Sequence, residues 1–143
     1  MGLSIDRIDH VVLNCRDVEA TVAWYQRVLG MEREVFGDYR HIALKFGRQK
    51  FNVRPSGATD WWSVKNDAPG ALDLCFITRQ PPEAVLAHLK ACGVTVLRGP
   101  SQQNGALGAM TSVYFHDPDE NLIEVASYQS ERQVGLAAPR TAP

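Results

Sequence analysis

The runs Ile8-Asp9-His10-Val11-Val12-Leu13 and Ala71-Leu72-Asp73-Leu74-Cys75-Phe76 decide how this chain folds. Laid over one another they are offset by 63 residues, since 71 minus 8 and 76 minus 13 give the same figure. Each is a short apolar run with a potential ligand, His10 or Asp73, at the same place. The same offset carries Val22 onto Val85 and Gly30 onto Gly93, so a strand, the helix after it and the glycine that closes the helix stay in register. The chain reads as a duplication.

Working outward, each half reads β-α-β-β-β and the fold class is α+β, two βαβββ modules. After Gly30 the first half offers strands over 33–36, 40–46 and 49–54, with the turn Gly47-Arg48 between the last two. After Gly93 the second offers a strand over 94–97, a Gly/Gln/Ser loop over 98–109, a strand over 110–115, the turn 117–120 and a strand over 121–126. Read this way, the last strand is offset by 70 residues, which pairs Arg54 with Glu124. The first helix has Asp17 as N-cap, Glu19 in its first turn, Val18, Val22, Tyr25, Val28 and Leu29 at helical spacing, and Gly30 after its end. The second opens on Pro81-Pro82-Glu83 and carries Val85, Leu86, Leu89 and Cys92 on one stripe. Module one spans 6–54, a linker 55–70 carries Trp61-Trp62, module two spans 71–127, and 129–143 reads as a loose tail.

Size and composition bound the function. At 143 residues, 45% hydrophobic and 22% charged, the chain forms a single domain of ordinary globular composition, 1–143. Fifteen basic against sixteen acidic residues, with no run of five like charges, leave no electrostatic footprint for nucleic acid or an anionic membrane. No apolar stretch reaches the roughly 18 residues of a membrane span, and the N-terminus has no secretory pattern. A cytoplasmic protein with a small-molecule or protein partner is expected, its Cys15, Cys75 and Cys92 reduced and buried.

Strand alternation puts His10 with Ile8 and Val12, Asp73 with Ala71 and Cys75, and Glu124 with Leu122 and Ala126. A carboxylate in mid-strand among aliphatic neighbours costs several kcal/mol to bury unpaired, so something compensates Asp73 and Glu124. A divalent cation held by His10, Asp73 and Glu124 does so and leaves about three coordination positions for water or substrate. Alternatively Arg54, read as the fourth symmetry-related residue, neutralises both carboxylates with no metal. The ligand types suit Mn(II), Fe(II), Ni(II) or Mg(II), with Zn(II) also compatible.

The duplication and these residues resemble the vicinal oxygen chelate superfamily, which includes glyoxalase I, extradiol dioxygenases, fosfomycin-resistance thiol transferases and bleomycin-resistance proteins. The matching words are Ile8 to Leu13, Trp24-Tyr25 with Val28-Leu29-Gly30-Met31, Phe46-Gly47 with Gln49-Lys50-Phe51-Asn52, Gly70-Ala71-Leu72-Asp73, and Phe115-His116-Asp117-Pro118-Asp119 with Asn121-Leu122-Ile123-Glu124. The Gln49 to Asn52 word with Leu72-Asp73 looks most like the short branch typified by glyoxalase-domain-containing protein 5. The resemblance implies curved mixed sheets surrounding a metal cup, commonly completed or swapped in a homodimer. It implies a glyoxalase- or dioxygenase-like enzyme, lyase, isomerase or ring-cleaving, whose metal chelates a small vicinal-oxygen substrate. His10 matches the first-strand ligand, Asp73 stands where the second module usually offers His, and Glu124 matches the last-strand carboxylate. Arg54 stands where glyoxalase I has Glu, which argues against that activity and leaves Arg54 to neutralise substrate charge. The competing reading is a metal-free ligand-binding dimer of the bleomycin-resistance kind.

His116, beside Asp117 and Asp119, is either a turn residue or a catalytic acid or base at the pocket rim. His41 faces solvent, an edge or the cup, His88 the surface, and Tyr25 the core. The loop 101–108 is a substrate lid or a plain connection.

Overall fold

The computed structural model describes residues 2–132, and the sheets follow the duplication. The chain divides into two units, one running to Ala71 and including Asp117–Asn121, the other comprising Leu72–His116 and the chain from Leu122 onward.

In the first unit β1 (His10–Cys15) leads into α1 (Val18–Leu29), then β2 (Glu32–Phe36), β3 (His41–Phe46) and β4 (Gln49–Pro55). The sheet order is β1-β4-β3-β2, with β1 parallel to β4 and the other pairs antiparallel. Asp17 caps α1 by accepting a hydrogen bond from the Ala20 N–H at 3.0 Å, and Gly30 ends it at φ +64°, a conformation that suits glycine. The helix buries Val22, Tyr25 and Val28. Tyr25 meets Phe51 edge to face, with centroids 5.7 Å apart. The helix-facing side of the sheet thus carries Leu13, Leu44, Phe51 and Val53, all buried. By alternation His10, Asn14, His41, Lys50, Asn52 and Arg54 share the other side.

The second unit repeats this with β5 (Asp73–Ile77), α2 (Pro82–Ala91), β6 (Arg98–Gly105), β7 (Gly108–His116) and β8 (Leu122–Tyr128), in the order β5-β8-β7-β6. Val113, Phe115, Ile123 and Val125 form its buried side. Cys75, Ser112, Tyr114, His116 and Glu124 share the opposite one. Each half is therefore a βαβββ module with a four-stranded mixed sheet, and no described helix is long and apolar enough to cross a membrane.

Three expectations are corrected. Residues 94–97 form no strand, and the polar stretch beyond them is the edge strand β6, closed onto β7 by a turn at 106–107. The stretch expected as a loop is therefore a hairpin: Ser101–Gly105 are laddered against β7, with Gln103 opposite Met110. An edge strand needs no apolar alternation, which is why its Gln/Ser/Asn composition reads as loop. Gly105 is required there, since a Cβ would lie 2.2 Å from the Tyr128 hydroxyl. All three cysteines are free but only Cys15 is buried; Cys75 is exposed on the helix-distal side and Cys92 is half-buried. Of the tail, Gln129–Glu131 form a 3-10 turn and Arg132 hydrogen-bonds Ser127 and Thr111. Residues 133–143 lie outside the described residues.

In the first unit Asp117, 5% exposed, accepts hydrogen bonds from the Tyr25 hydroxyl (2.7 Å), the Asn121 side-chain amide (2.8 Å) and the backbone N–H groups of Asp119 and Asn121 (2.9 Å each). Burial first, then the Asp117 charge, hold the Tyr25 hydroxyl far above its ordinary range, so it stays a donor. Tyr25→Phe, which removes one donor from a buried carboxylate, is expected to cost about 1–3 kcal/mol by chemical denaturation.

Candidate functional site

The strand registers fix which residues are equivalent. Val12 lies opposite Asn52 across β1 and β4, and its duplicate Cys75 lies opposite Glu124 across β5 and β8. The counterpart of Glu124 is therefore Asn52, at an offset of 124 minus 52, or 72. Arg54 lies opposite Asn14, whose duplicate Ile77 lies opposite Ala126, so Arg54 matches Ala126 and the Arg54–Glu124 equivalence is corrected. The error is two residues, one from the segment before β7, since Tyr114 lies 71 residues after its counterpart Ala43, and one from the hairpins. Ala43 pairs with Asn52, nine residues on, whereas Tyr114 pairs with Glu124, ten residues on, because the β7–β8 turn is longer.

Arg54 is buried and its guanidinium is spent inside the first unit. It donates to the Trp61 carbonyl (3.2 Å), Asn14 Oδ1 (2.9 Å), Asp67 Oδ2 (2.7 Å) and the Ala58 carbonyl (2.7 Å). It clamps the segment after β4 to the sheet. The Arg54 hydrogen bond and the Gly57 N–H hold the Asp67 carboxyl below the usual carboxylate range. The clamp fixes Trp61, which stacks on His41 with centroids 3.8 Å apart and planes 6° apart. Trp62 is 98% exposed.

His10 begins β1, and its Nδ1 lies 2.9 Å from Asp9 Oδ2. The hydrogen bond from His10 is the largest cause holding the Asp9 carboxyl below its ordinary value. An ionised carboxylate only accepts, so in the neutral ring the bond favours the proton on Nδ1 and leaves the Nε2 lone pair available to a cation. Asn52 is 8% exposed, and its Oδ1 has no hydrogen-bond partner among the described residues.

In the second unit Glu124 Oε1 accepts a hydrogen bond from the Tyr114 hydroxyl at 2.9 Å. Burial, then the hydrogen bond to Glu124, raise the Tyr114 hydroxyl and keep it protonated. Cys75 sits on the neighbouring strand in register with Glu124, and burial, then the Glu124 charge, push its thiol up to about 12. Asp73, exposed, is one alternation further along β5 on the same side, diagonal to Glu124. His116 is exposed on the Glu124 side, opposite Leu122; Asp117, not His116, holds the turn. Asn52 and Tyr114 escaped the sequence reading, although Tyr114 and Glu124 are equidistant from Asp119 at the centre of the turn. Within each unit, among the described residues, no three His, Cys, Asp or Glu side chains converge as a metal group.

Comparison with known proteins names the family. Residues 7–125 match the glyoxalase/bleomycin resistance protein/dioxygenase superfamily. The chain belongs to that superfamily. Within it, the chain is 40% identical over 124 residues to virulence protein STM3117 of Salmonella typhimurium, covering 87% of this chain and 85% of that protein. It is 39% identical over 130 residues to glyoxalase domain-containing protein RDO1 of Mycosarcoma maydis, covering 91% and 73%. An integron cassette protein from the mobile metagenome of V. cholerae superposes with a TM-score of 0.86 at 42% identity, over 90% of this chain and 99% of that one. None of these names states a reaction.

Two outcomes test this superfamily member's geometry. Cys75 should alkylate slowly with iodoacetamide at pH 8, and Glu124→Gln should speed it several-fold by removing the neighbouring charge. Asp67, with its folded pKa depressed, contributes stability that is present above the ordinary carboxylate value and lost as pH falls through the folded one. Denaturation series should therefore show the stability deficit of Arg54→Met shrinking below about pH 4.

Proposed function

We propose that the chain is a cytosolic, metal-dependent enzyme of the superfamily, similar to the glyoxalase-domain-containing protein 5-like branch, acting on a small substrate with adjacent oxygen atoms. Its ion, Mn, Fe, Ni or Zn, is held by His10, Asp73 and Glu124, and the homodimer is its working form. The observation that carries this reading is the Asp9–His10 hydrogen bond. It fixes the ring, sets the tautomer and presents Nε2, as the carboxylate partners of metal-bound histidines do. Glu124 supports it: Tyr114 occupies one carboxylate oxygen and orients the other.

When bound, the ion supplies Lewis acidity toward the vicinal oxygens of the substrate. Tyr114 holds Glu124 and His116 exchanges protons with substrate from the exposed end of β7. Arg54 is a positioning residue, because its donors secure the linker and Trp61. Glyoxalase I chemistry is not part of the proposal: the position matching Glu124 is Asn52, and a neutral amide cannot act as the proton-abstracting base. The metal-free alternative needs Arg54 to neutralise Asp73 and Glu124, and Arg54 is committed to Asp67 instead.

The test is elemental analysis of untagged protein after incubation with each of the four metals and desalting. About one ion per chain, lost in Glu124→Ala with the circular dichroism spectrum retained, is expected for one three-ligand site. No retained metal under any loading contradicts the reading.

A further inference from the structure

Of the five asparagines in the chain, only Asn104 is followed by glycine. In such a pair the backbone nitrogen of the glycine can close on the side-chain carbonyl carbon of the asparagine, because no Cβ crowds the approach. Packing holds the pair in place. A Cβ at position 105 would lie 2.2 Å from the Tyr128 hydroxyl and 2.8 Å from Met110 Sδ, and the same hydroxyl accepts a hydrogen bond from the Leu107 N–H at 3.1 Å. Asn104 is exposed, and its rung of the edge strand β6 is next to the last, where Gly105 lies opposite Gly108 and a ladder opens most readily.

The side of the sheet that Asn104 faces carries a cation. Gln102, one alternation back, donates to Thr111 Oγ1 at 3.1 Å, which places 102 and 104 on the Thr111 side. On that side Arg132 donates to the same Thr111 Oγ1 at 2.8 Å and to Ser127 Oγ at 3.0 Å. Arg132 makes no ion pair among the described residues, so two neutral hydroxyls leave its charge uncancelled. From Gly99 to Phe115 the sequence has no charged residue to offset it. Asn104 lies opposite Ala109 and diagonal to Thr111, within reach of a side chain as long as arginine.

We propose that Asn104 is a spontaneous modification site, whose loss of the side-chain amide gives a carboxylate that pairs with Arg132. The Gly105 nitrogen bonds to Asn104 Cγ, the Cγ–Nδ2 bond breaks, and Nδ2 leaves as ammonia with the Gly105 amide proton. Water then opens the five-membered imide, and no oxidant or reductant takes part. Opening at Cγ gives aspartate and leaves the backbone as it was. Opening at the main-chain carbonyl gives isoaspartate, lengthens β6 by a methylene and draws Gly105 away from Tyr128. Either product adds a negative charge to the Arg132 side of the second sheet, apart from His10, Asp73 and Glu124.

The test is ageing of the full chain at pH 8.5 and 37 °C with peptide mass mapping at intervals, beside a sample unfolded in urea. The expected result is that the mass shift of an amide turned into a carboxyl appears at Asn104 before any other asparagine, as separable aspartate and isoaspartate peptides, and is absent from Asn104→Gln. Asn104→Asp reproduces the aspartate product and should raise the melting temperature at low salt by about 1–4 °C, as an exposed ion pair does. The rise should vanish in an Arg132→Gln background and in 1 M NaCl. Conversion at another asparagine first, or at Asn104 only in the unfolded sample, would overturn the site. A melting temperature that Asn104→Asp leaves unchanged, or raises equally without Arg132, would overturn the pairing.

Discussion

The carboxylate of Asp117 organises much of what surrounds it. It is buried and has no cation partner among the described residues, and its charge is met by four hydrogen-bond donors, two from the turn backbone and two from side chains. Such a group is stable only when every donor is in place, because each lost bond leaves charge uncompensated in a poorly solvated setting. It dictates the conformation of 117–121 and demands a hydroxyl at position 25, a place on α1 where packing alone would accept phenylalanine. Asp119 extends the arrangement by accepting from the backbone N–H and the guanidinium of Arg16, just after β1. The turn fixes where β7 ends and β8 begins, and so the register that sets Tyr114 opposite Glu124.

Duplication gives the two units a common frame, and divergence at matched positions gives them different chemistry. His41 matches Ser112, Ala43 matches Tyr114, Asn52 matches Glu124 and Arg54 matches Ala126. The second sheet is left with a hydroxyl-oriented carboxylate. The first is left with an amide, an aromatic shelf and an arginine turned to structural use. One fold thus carries two unlike surfaces, consistent with function residing in sites rather than in the fold.

Much of this was legible in the residues. Repetition of a strand, a helix and a closing glycine at one offset revealed the modules, and the caps of α1 followed from Asp17 and Gly30 because capping is local chemistry. His10 and Glu124 stood out as polar residues beside aliphatic ones, although His10 begins β1 and only Glu124 lies within its strand. Legibility failed where the physics was not local. β6 is an edge strand whose pattern carries no apolar signal. The partners of Arg54 lie in a linker with no periodicity, so its charge seemed directed at Asp73 and Glu124. One residue lost in the segment before β7 and one in the longer β7–β8 turn together moved the fourth position from Asn52 to Arg54, a slip of two residues that preserved the side of the sheet and therefore raised no contradiction in alternation.

The central claim is that Asp9 fixes His10 as a cation ligand while the other histidines are not ligands. It is tested most directly by nitrogen-detected NMR of the imidazole rings, recorded before and after one equivalent of Zn(II). The account predicts that free His10 carries its proton on Nδ1, and that Zn(II) shifts the His10 Nε2 resonance strongly while His41, His88 and His116 stay in place. A proton on Nε2 of free His10, or a Zn(II) shift at another histidine with His10 unmoved, would contradict it.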